Sequence, residues 1–583
     1  MNVGRGFFCG TAFLAIIGIA NPSLVVNKAS AAKNDNFVPY DKTAGKAYRD
    51  LPTAKKGGTI YFRTLDNPKT INPLLTDDVE YKNILNFIFA PLMGYDYDTN
   101  QYFPLLAEKL EVSKDHKIMT YTLRKDATWE DGSPVTADDA EFTFQKMMDP
   151  KVDAAPMRSY FEGYKLEKID PYTFRFVVEH PNVSSIDEVN SDFRLIQKKQ
   201  YDGVADFNKA KAAVQPIGNG AYRLKSFSRD EKLELERIKN WWGYKLPEQK
   251  NLNNFDNIVI RIIPDTALTY EKFIKGDIDV LEMNAEMFGT RVRGSDKDKF
   301  GTGPDSDKEM WASHFKSSAP AQWTYVGWNE KIPMFQSKKT RQALAQLIDY
   351  DQVIDKVYHK EGIRCISPFG SESPNTAPDQ KKHMFNLDSA KAIALLKEDG
   401  WADTDGTNTI SKMIDGKKTK FEFSLRYNSE NPMRAKIAQM VKENFKKAGI
   451  TVNVQAIEFN TLITQMDNRD YDAVVMGWGK GNVNANTTQL WHSKSALNKG
   501  SNFTSYSNPE ADKMMDKIDT VLDPKERFKL VQKLGAIIYE DQPYAFVVEI
   551  PGFMAAYHKK LQAKKWAMKY EDMPPIWMFS ARD

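Results

Sequence analysis

The chain has 583 residues, well past the ~250–300 at which a single hydrophobic core stops growing, so at least two packed domains are expected. With 41% hydrophobic, 27% charged and 12% aromatic residues, it lies outside the disordered class, whose members cannot bury enough apolar surface to fold. Lys and Arg (81) nearly balance Asp and Glu (78), and the resulting net charge of +3 excludes the basic footprint of a nucleic-acid binder.

Residues 1–32 predict an export leader: a basic start to Arg5, an apolar run from Phe7 to Ala20, and small residues around Ala31 and Ala32 that suit a signal peptidase. The apolar run is shorter than the ~20 residues needed to span a bilayer. Cys9 lies inside the leader without the aliphatic and small residues of a lipoprotein signal, so no lipid anchor is expected. Cys365 is then the only cysteine left; it can form no internal disulfide and reads as a small buried residue.

From Lys33 to Gly58 the chain is polar and aperiodic, an extended arm leading to a first strand over 59–64. The alternation Met119-Thr120-Tyr121-Thr122-Leu123 predicts another strand. It is followed by the turn Asp131-Gly132-Ser133-Pro134 and by a helix opened by Thr136, with Asp139 three residues on as in a capping box. Strands are expected over 172–179, 233–237 and 258–263, the last ended by Pro264. The second half is richer in helices, over 339–359, 388–398 and 432–447, with Gly400 and Gly449 just beyond two of them. Strand candidates over 421–427, 451–457 and 471–478 alternate with these helices, the pattern of a separate α/β domain with parallel strands.

The catalytic inventory is thin. The seven histidines form neither an i, i+4 pair nor a cluster with cysteine, so no zinc site is expected. Gly416-Lys417-Lys418-Thr419 lacks the upstream glycine of a phosphate loop, and Asp403 to Gly406 lacks the carboxylates a calcium loop needs at its first and twelfth positions; both read as turns. There is no Gly-x-Ser-x-Gly elbow, and an enzyme is not expected.

Several segments resemble the family 5 extracellular solute-binding proteins, the oligopeptide- and dipeptide-binding components of ABC importers. The stretch Pro104-Leu105-Leu106-Ala107-Glu108 through Tyr121-Thr122-Leu123 to Thr128-Trp129-Glu130-Asp131-Gly132-Ser133-Pro134-Val135-Thr136-Ala137-Asp138-Asp139 is similar to the family's signature almost residue for residue. Gly218-Asn219-Gly220-Ala221-Tyr222, Phe273 to Asp279, Tyr325 to Asn329, Lys338 to Asp349 and Tyr471 to Trp478 continue the resemblance in order along the mature chain.

The resemblance implies an α/β, periplasmic binding protein-like fold (type II, cluster C): two lobes closing around a hinge, with an extra inserted domain. In this chain it implies a leader at 1–32, lobe I from 33–77, 208–300 and 551–583, the inserted domain at 78–207, and lobe II at 301–550. It also implies peptide capture in the periplasm and delivery to the ABC permease membrane subunits and their ATPases, by a monomer using no cofactor and no metal. A non-peptide ligand (metal chelate, haem, oligosaccharide or peptide-nucleotide) is the alternative, and an exported hydrolase is the reading from another class.

Carried over by position, the implied ligand contacts are Asp77 and Val79, Asn284, Tyr325, Phe459, and the turn Gly477, Trp478 and Gly479. Arg434 and Arg426 are candidates for a ligand carboxylate or phosphate, because a guanidinium offers a bidentate fork. Other roles stand beside these: core packing for Tyr325, Phe459 and Trp478, helix capping for Asp77, ion pairing for the arginines. The chain departs from the pattern after Trp478. Where similar oligopeptide binders place a carboxylate for the peptide ammonium, it has Gly479-Lys480-Gly481-Asn482-Val483-Asn484. Either another acid such as Asp77 or Glu282 takes that charge, or the terminus is not held there. The Gly-Trp-Gly turn and its Asn-rich loop resemble the subgroup importing longer peptides and microcin C-like peptide-nucleotides.

Overall fold

The computed structural model describes residues 54–563 apart from 65, 69, 76–78, 100, 180, 182–184, 211–214, 318–320, 405, 480–486, 498–499 and 522, together with 36–37 and 579–581. The expected leader, most of the arm, Asp77 and the loop after Gly479 fall outside these residues.

The signature stretch builds a five-stranded antiparallel sheet in the order Asn36–Phe37, Ala107–Ser113, Ile118–Leu123, Thr173–Val178, Tyr164–Asp170. Strict alternation in Ile118–Leu123 turns Met119, Tyr121 and Leu123 inward. The turn behind it is held by Asp131, whose carboxylate accepts from the Ser133 amide at 3.0 Å. Helix Ala137–Met148 then starts where Thr136 donates its amide to Asp139 Oδ2 at 3.0 Å; the same oxygen accepts from Trp129 Nε1 at 3.2 Å. The capping residue thus also fixes the buried Trp129, so this motif secures a fold and contacts no ligand.

A second sheet follows the order Thr59–Thr64, Asn257–Ile262, Lys232–Arg237, Tyr222–Ser228, its first pair parallel. The turn Gly218-Asn219-Gly220 wedges it against helix Val79–Ile88: the Gly220 amide donates to Ile88 O at 2.7 Å, and a Cβ on Gly220 would sit 2.4 Å from Phe87 O. Asn219 fixes the wedge, its side chain accepting from the Ala90 amide and its carbonyl from the indoles of Trp241 and Trp242.

The third sheet joins Val280–Met283, Phe553–His558, Met310–Phe315 and Phe300–Gly301. The fourth has six strands in the order Ile363–Arg364, Tyr544–Ile550, Gln322–Trp328, Ala473–Trp478, Glu422–Asn428, Thr451–Ile457. Its last three strands run parallel, as the alternation with helices predicts, while the first half is antiparallel. Both faces are covered: Val326, Trp328 and Val475 belong to one apolar core, Tyr325, Val474 and Met476 to another.

Three expectations need correction. Asn36–Phe37 pairs with Ala107–Ser113, so this part of the arm extends the inserted sheet rather than lobe I. A boundary at 300/301 would cut the third sheet, since Phe300–Gly301 pairs with Met310–Trp311 and Met310–Phe315 pairs with Phe553–His558. The helix expected over 339–359 is broken after Lys338–Ala345; Asp349 caps a new turn by accepting from the Gln352 amide at 3.0 Å, and a wide turn Val353–Val357 follows. Cys365 is fully buried, its thiol donating to Ser367 O.

Candidate functional site

Contacts between the third-sheet and fourth-sheet regions mark where the lobes meet. Lys436 Nζ lies 3.2 Å from Glu286 Oε1, Arg293 Nη1 lies 2.6 Å from Glu361 Oε1, and a Cβ on Gly289 would come within 2.5 Å of the His359 side chain. His314, on Met310–Phe315, sits between Glu361 Oε2 (2.7 Å from Nδ1) and Pro551 O (2.8 Å from Nε2). Both ring nitrogens thus face acceptors, an arrangement that only the doubly protonated imidazolium satisfies fully. Pro551 lies in the short link between Tyr544–Ile550 and Phe553–His558, where the chain passes from one sheet to the other.

Beside this junction the fourth sheet leaves a backbone edge open. Ala473–Trp478 is paired along its whole length with Gln322–Trp328 on one side, down to Gly477 opposite Thr324 and Trp478 opposite Trp323. On the other side its parallel pairing with Glu422–Asn428 ends at Val475 opposite Tyr427. The amides and carbonyls of Met476, Gly477 and Trp478 have no strand partner on that side among the described residues. Glycine is needed at the centre: a Cβ on Gly477 would lie 2.8 Å from Trp323 O and 3.0 Å from Arg434 Nη2. Trp478 is half-buried, its ring parallel to Phe503 with centroids 5.7 Å apart, and Gly479 is exposed.

Arg434 stands at this edge. It lies in the first turn of helix Pro432–Lys447, whose start is set by Asn431 capping the Arg434 amide at 3.1 Å. The side chain is only 5% exposed, and Nη1 reaches Asn428 Oδ1 at 2.7 Å and Met476 Sδ at 3.1 Å. No carboxylate lies within 4.0 Å of it among the described residues, and Nε has no partner. Burial raises the hydroxyl pKa of both Tyr325 and Tyr358, and the Arg434 charge pulls in the opposite direction. A buried guanidinium held only by neutral groups is a poor structural device and a good anion receptor.

The other expected contacts fall variously. Val79 opens helix Val79–Ile88. Asn284 caps helix Ala285–Met287, its Oδ1 accepting from the Met287 amide at 2.7 Å, two residues before the Glu286 that meets Lys436. Phe459 opens helix Phe459–Asn468 and packs, half-buried, on the second lobe II core. Tyr325 is not a wall of the cleft: it is 1% exposed and stacks on Tyr544 at 3.9 Å, because its strand position turns it into the covered face of the sheet. Arg426 is tied to Gln455, Gln465 and the Asp470 carbonyl on the lobe surface. Glu282 is buried on Val280–Met283, where its charge helps to raise the Tyr557 hydroxyl pKa.

The sequence gave no warning of two acids. Burial pushes Glu549 up to about 7, with both oxygens accepting from the amides of Ala321 and Ser371. Glu330 is likewise pushed up to about 7 although Arg341 lies 3.1 Å away, so desolvation outweighs the ion pair. No helix among the described residues is long and apolar enough to cross a membrane, and no cluster of three metal-ligating side chains occurs among them.

A two-lobed α/β fold with an inserted sheet, closing on an open strand edge with a buried arginine, defines a ligand-capturing protein of the periplasmic-binding class. The family model for bacterial extracellular solute-binding proteins, family 5 Middle, matches residues 101–500, and the chain belongs to that family. The oligopeptide-binding protein AppA of Bacillus subtilis is 27% identical over 92% of this chain and 93% of its own length. The structure of AppA in complex with a nonapeptide superposes with a TM-score of 0.68 at 26% identity, covering 91% of this chain and 100% of that one. The dipeptide-binding protein of Escherichia coli is 23% identical over 83% of this chain and 88% of its own. NikA of Brucella suis, solved with Fe(III)-EDTA, shares the fold at a TM-score of 0.72 and 18% identity, covering 90% of this chain and 100% of its own.

Proposed function

We propose that this chain is the periplasmic, non-lipidated substrate-binding component of an ABC importer and that it captures oligopeptides as a monomer between its lobes. The observation that carries this reading is the open edge at Met476–Trp478 beside the buried Arg434. An extended peptide adds its backbone to that edge, so affinity comes from main-chain hydrogen bonds that every sequence offers. Arg434 receives the ligand carboxylate and Trp478 offers a flat wall to a side chain. Asn284 keeps its amide N–H groups for the ligand while its oxygen caps a helix. Closure through Glu286, Lys436 and Glu361 makes occupancy visible as shape, which is what the permease subunits read. The likeness to AppA along nearly the whole chain supports the peptide class, and the lack of an acid among residues 479–484 sets the ammonium contact apart from that of similar binders.

Native mass spectrometry of the mature protein, followed by mild denaturation and sequencing of the released ligand, tests this reading. A ladder of mixed peptides is expected. A single non-peptide mass overturns the ligand class, and turnover of a peptide mixture overturns the transport role.

A further inference from the structure

A second concavity, of about 120 Å³, lies between the inserted region and the second sheet. Tyr95, Phe103 and Trp241 supply its aromatic walls, and Arg194, Asn190 and Gln249 its polar ones. It lies at the far end of helix Val79–Ile88 from Val79, a ten-residue helix spanning about 15 Å, and is thus separate from the cleft.

Arg194 is 6% exposed, and its contacts are all neutral: Nε and Nη2 donate to Asn86 Oδ1 at 3.2 and 3.0 Å, and Nη1 to Asn190 O at 2.9 Å. Two of the five guanidinium N–H groups remain unused. No carboxylate lies within 4.0 Å of it among the described residues; Asp192 acts only from beyond ion-pair distance, and burial brings the group down to about 10. Asn190 is 2% exposed; its Oδ1 accepts from Tyr121 Oη at 3.1 Å and its Nδ2 has no partner. A buried cation with spare donors, an unpartnered amide and aromatic walls together demand an anion with an apolar body.

An apolar cavity of ~150 Å³ accommodates benzene, which sets the scale. We propose that this cavity is a second ligand site, taking a small aromatic monocarboxylate of benzoate size. The carboxylate sits on Arg194 and Asn190 Nδ2, and the ring lies between Phe103 and Trp241.

The test uses the whole chain, titrated with benzoate and with neutral benzamide by calorimetry, and with 4-fluorobenzoate by fluorine NMR. Saturable 1:1 binding of benzoate is expected, with benzamide weaker by at least about tenfold, since it lacks the charge Arg194 demands. Arg194→Gln is expected to weaken benzoate by at least about tenfold and Arg434→Gln to leave it unchanged. If Arg194→Gln fails to fold, Ala90→Leu fills the same cavity and is expected to abolish binding with the charge intact. Absence of saturable binding up to about 10 mM, equal binding of benzamide, or loss on Arg434→Gln alone overturns the proposal.

Discussion

Replacing Arg434 with Gln separates a ligand receptor from a packing residue. Arg434 is 5% exposed and is held by Asn428 and Met476 with no carboxylate, so its charge contributes little to the ligand-free fold. Removing an uncompensated buried charge is neutral or stabilising, so the unfolding free energy of the ligand-free variant is expected to change by less than about 1 kcal/mol. In the complex the same change strips a buried carboxylate of its partner, a loss of about 2–5 kcal/mol, or about 30- to 4000-fold in Kd. Calorimetry with free-acid peptides measures the second quantity and denaturant unfolding the first. The same peptides with amidated C-termini supply the control, because they lack the charge and are expected to bind the native protein weakly and the variant no worse. A peptide present at 100 times its Kd stabilises the native protein by about 2.7 kcal/mol, and the variant is expected to lose most of that at the same concentration. Unchanged affinity in Arg434→Gln, or an equal loss for acid and amide, refutes the assignment.

Glu330 and Glu549, both pushed from 4.5 up to about 7, bind protons in the fold that the unfolded chain has released. Their contribution to stability is therefore full below about pH 4.5 and lost as pH rises through about 7, up to about 3 kcal/mol for each group. Urea melts across this window are expected to show that slope, and Glu549→Gln to flatten it. Glu361→Ala leaves His314, 6% exposed in its side chain, facing an empty site. A loss of about 2 kcal/mol and a more open scattering profile in the presence of ligand are expected; an unchanged profile argues against a closure role. Tyr325→Phe is expected to leave peptide affinity within about twofold and Tyr325→Ala to cost about 3–5 kcal/mol of stability, since the ring is core; a selective affinity loss in Tyr325→Phe would return it to the cleft.

Local chemistry and short-range periodicity made much of this protein legible in its sequence. The Thr136–Asp139 capping box, the Asp131–Pro134 turn and helix Pro432–Lys447 are decided within a few residues, and so are strands Thr59–Thr64 and Thr451–Ile457. Long-range pairing was not legible. Tyr544–Ile550 is buried at every position and carries no alternation to announce it, and its place at the sheet centre depends on strands far off in sequence. The same holds for Met310–Phe315, whose register with Phe553–His558 puts it in the third sheet. At the cleft, sequence supplied Gly477 and Arg434 as residue types, and only tertiary structure gave them meaning. Pairing that stops at Val475 opens the edge, and burial without a counter-charge turns an arginine into a receptor. Tyr325 shows the converse: one strand, alternating sides, sends an aromatic into the core instead of the cleft, because which face is covered is decided by elements that sequence spacing does not place.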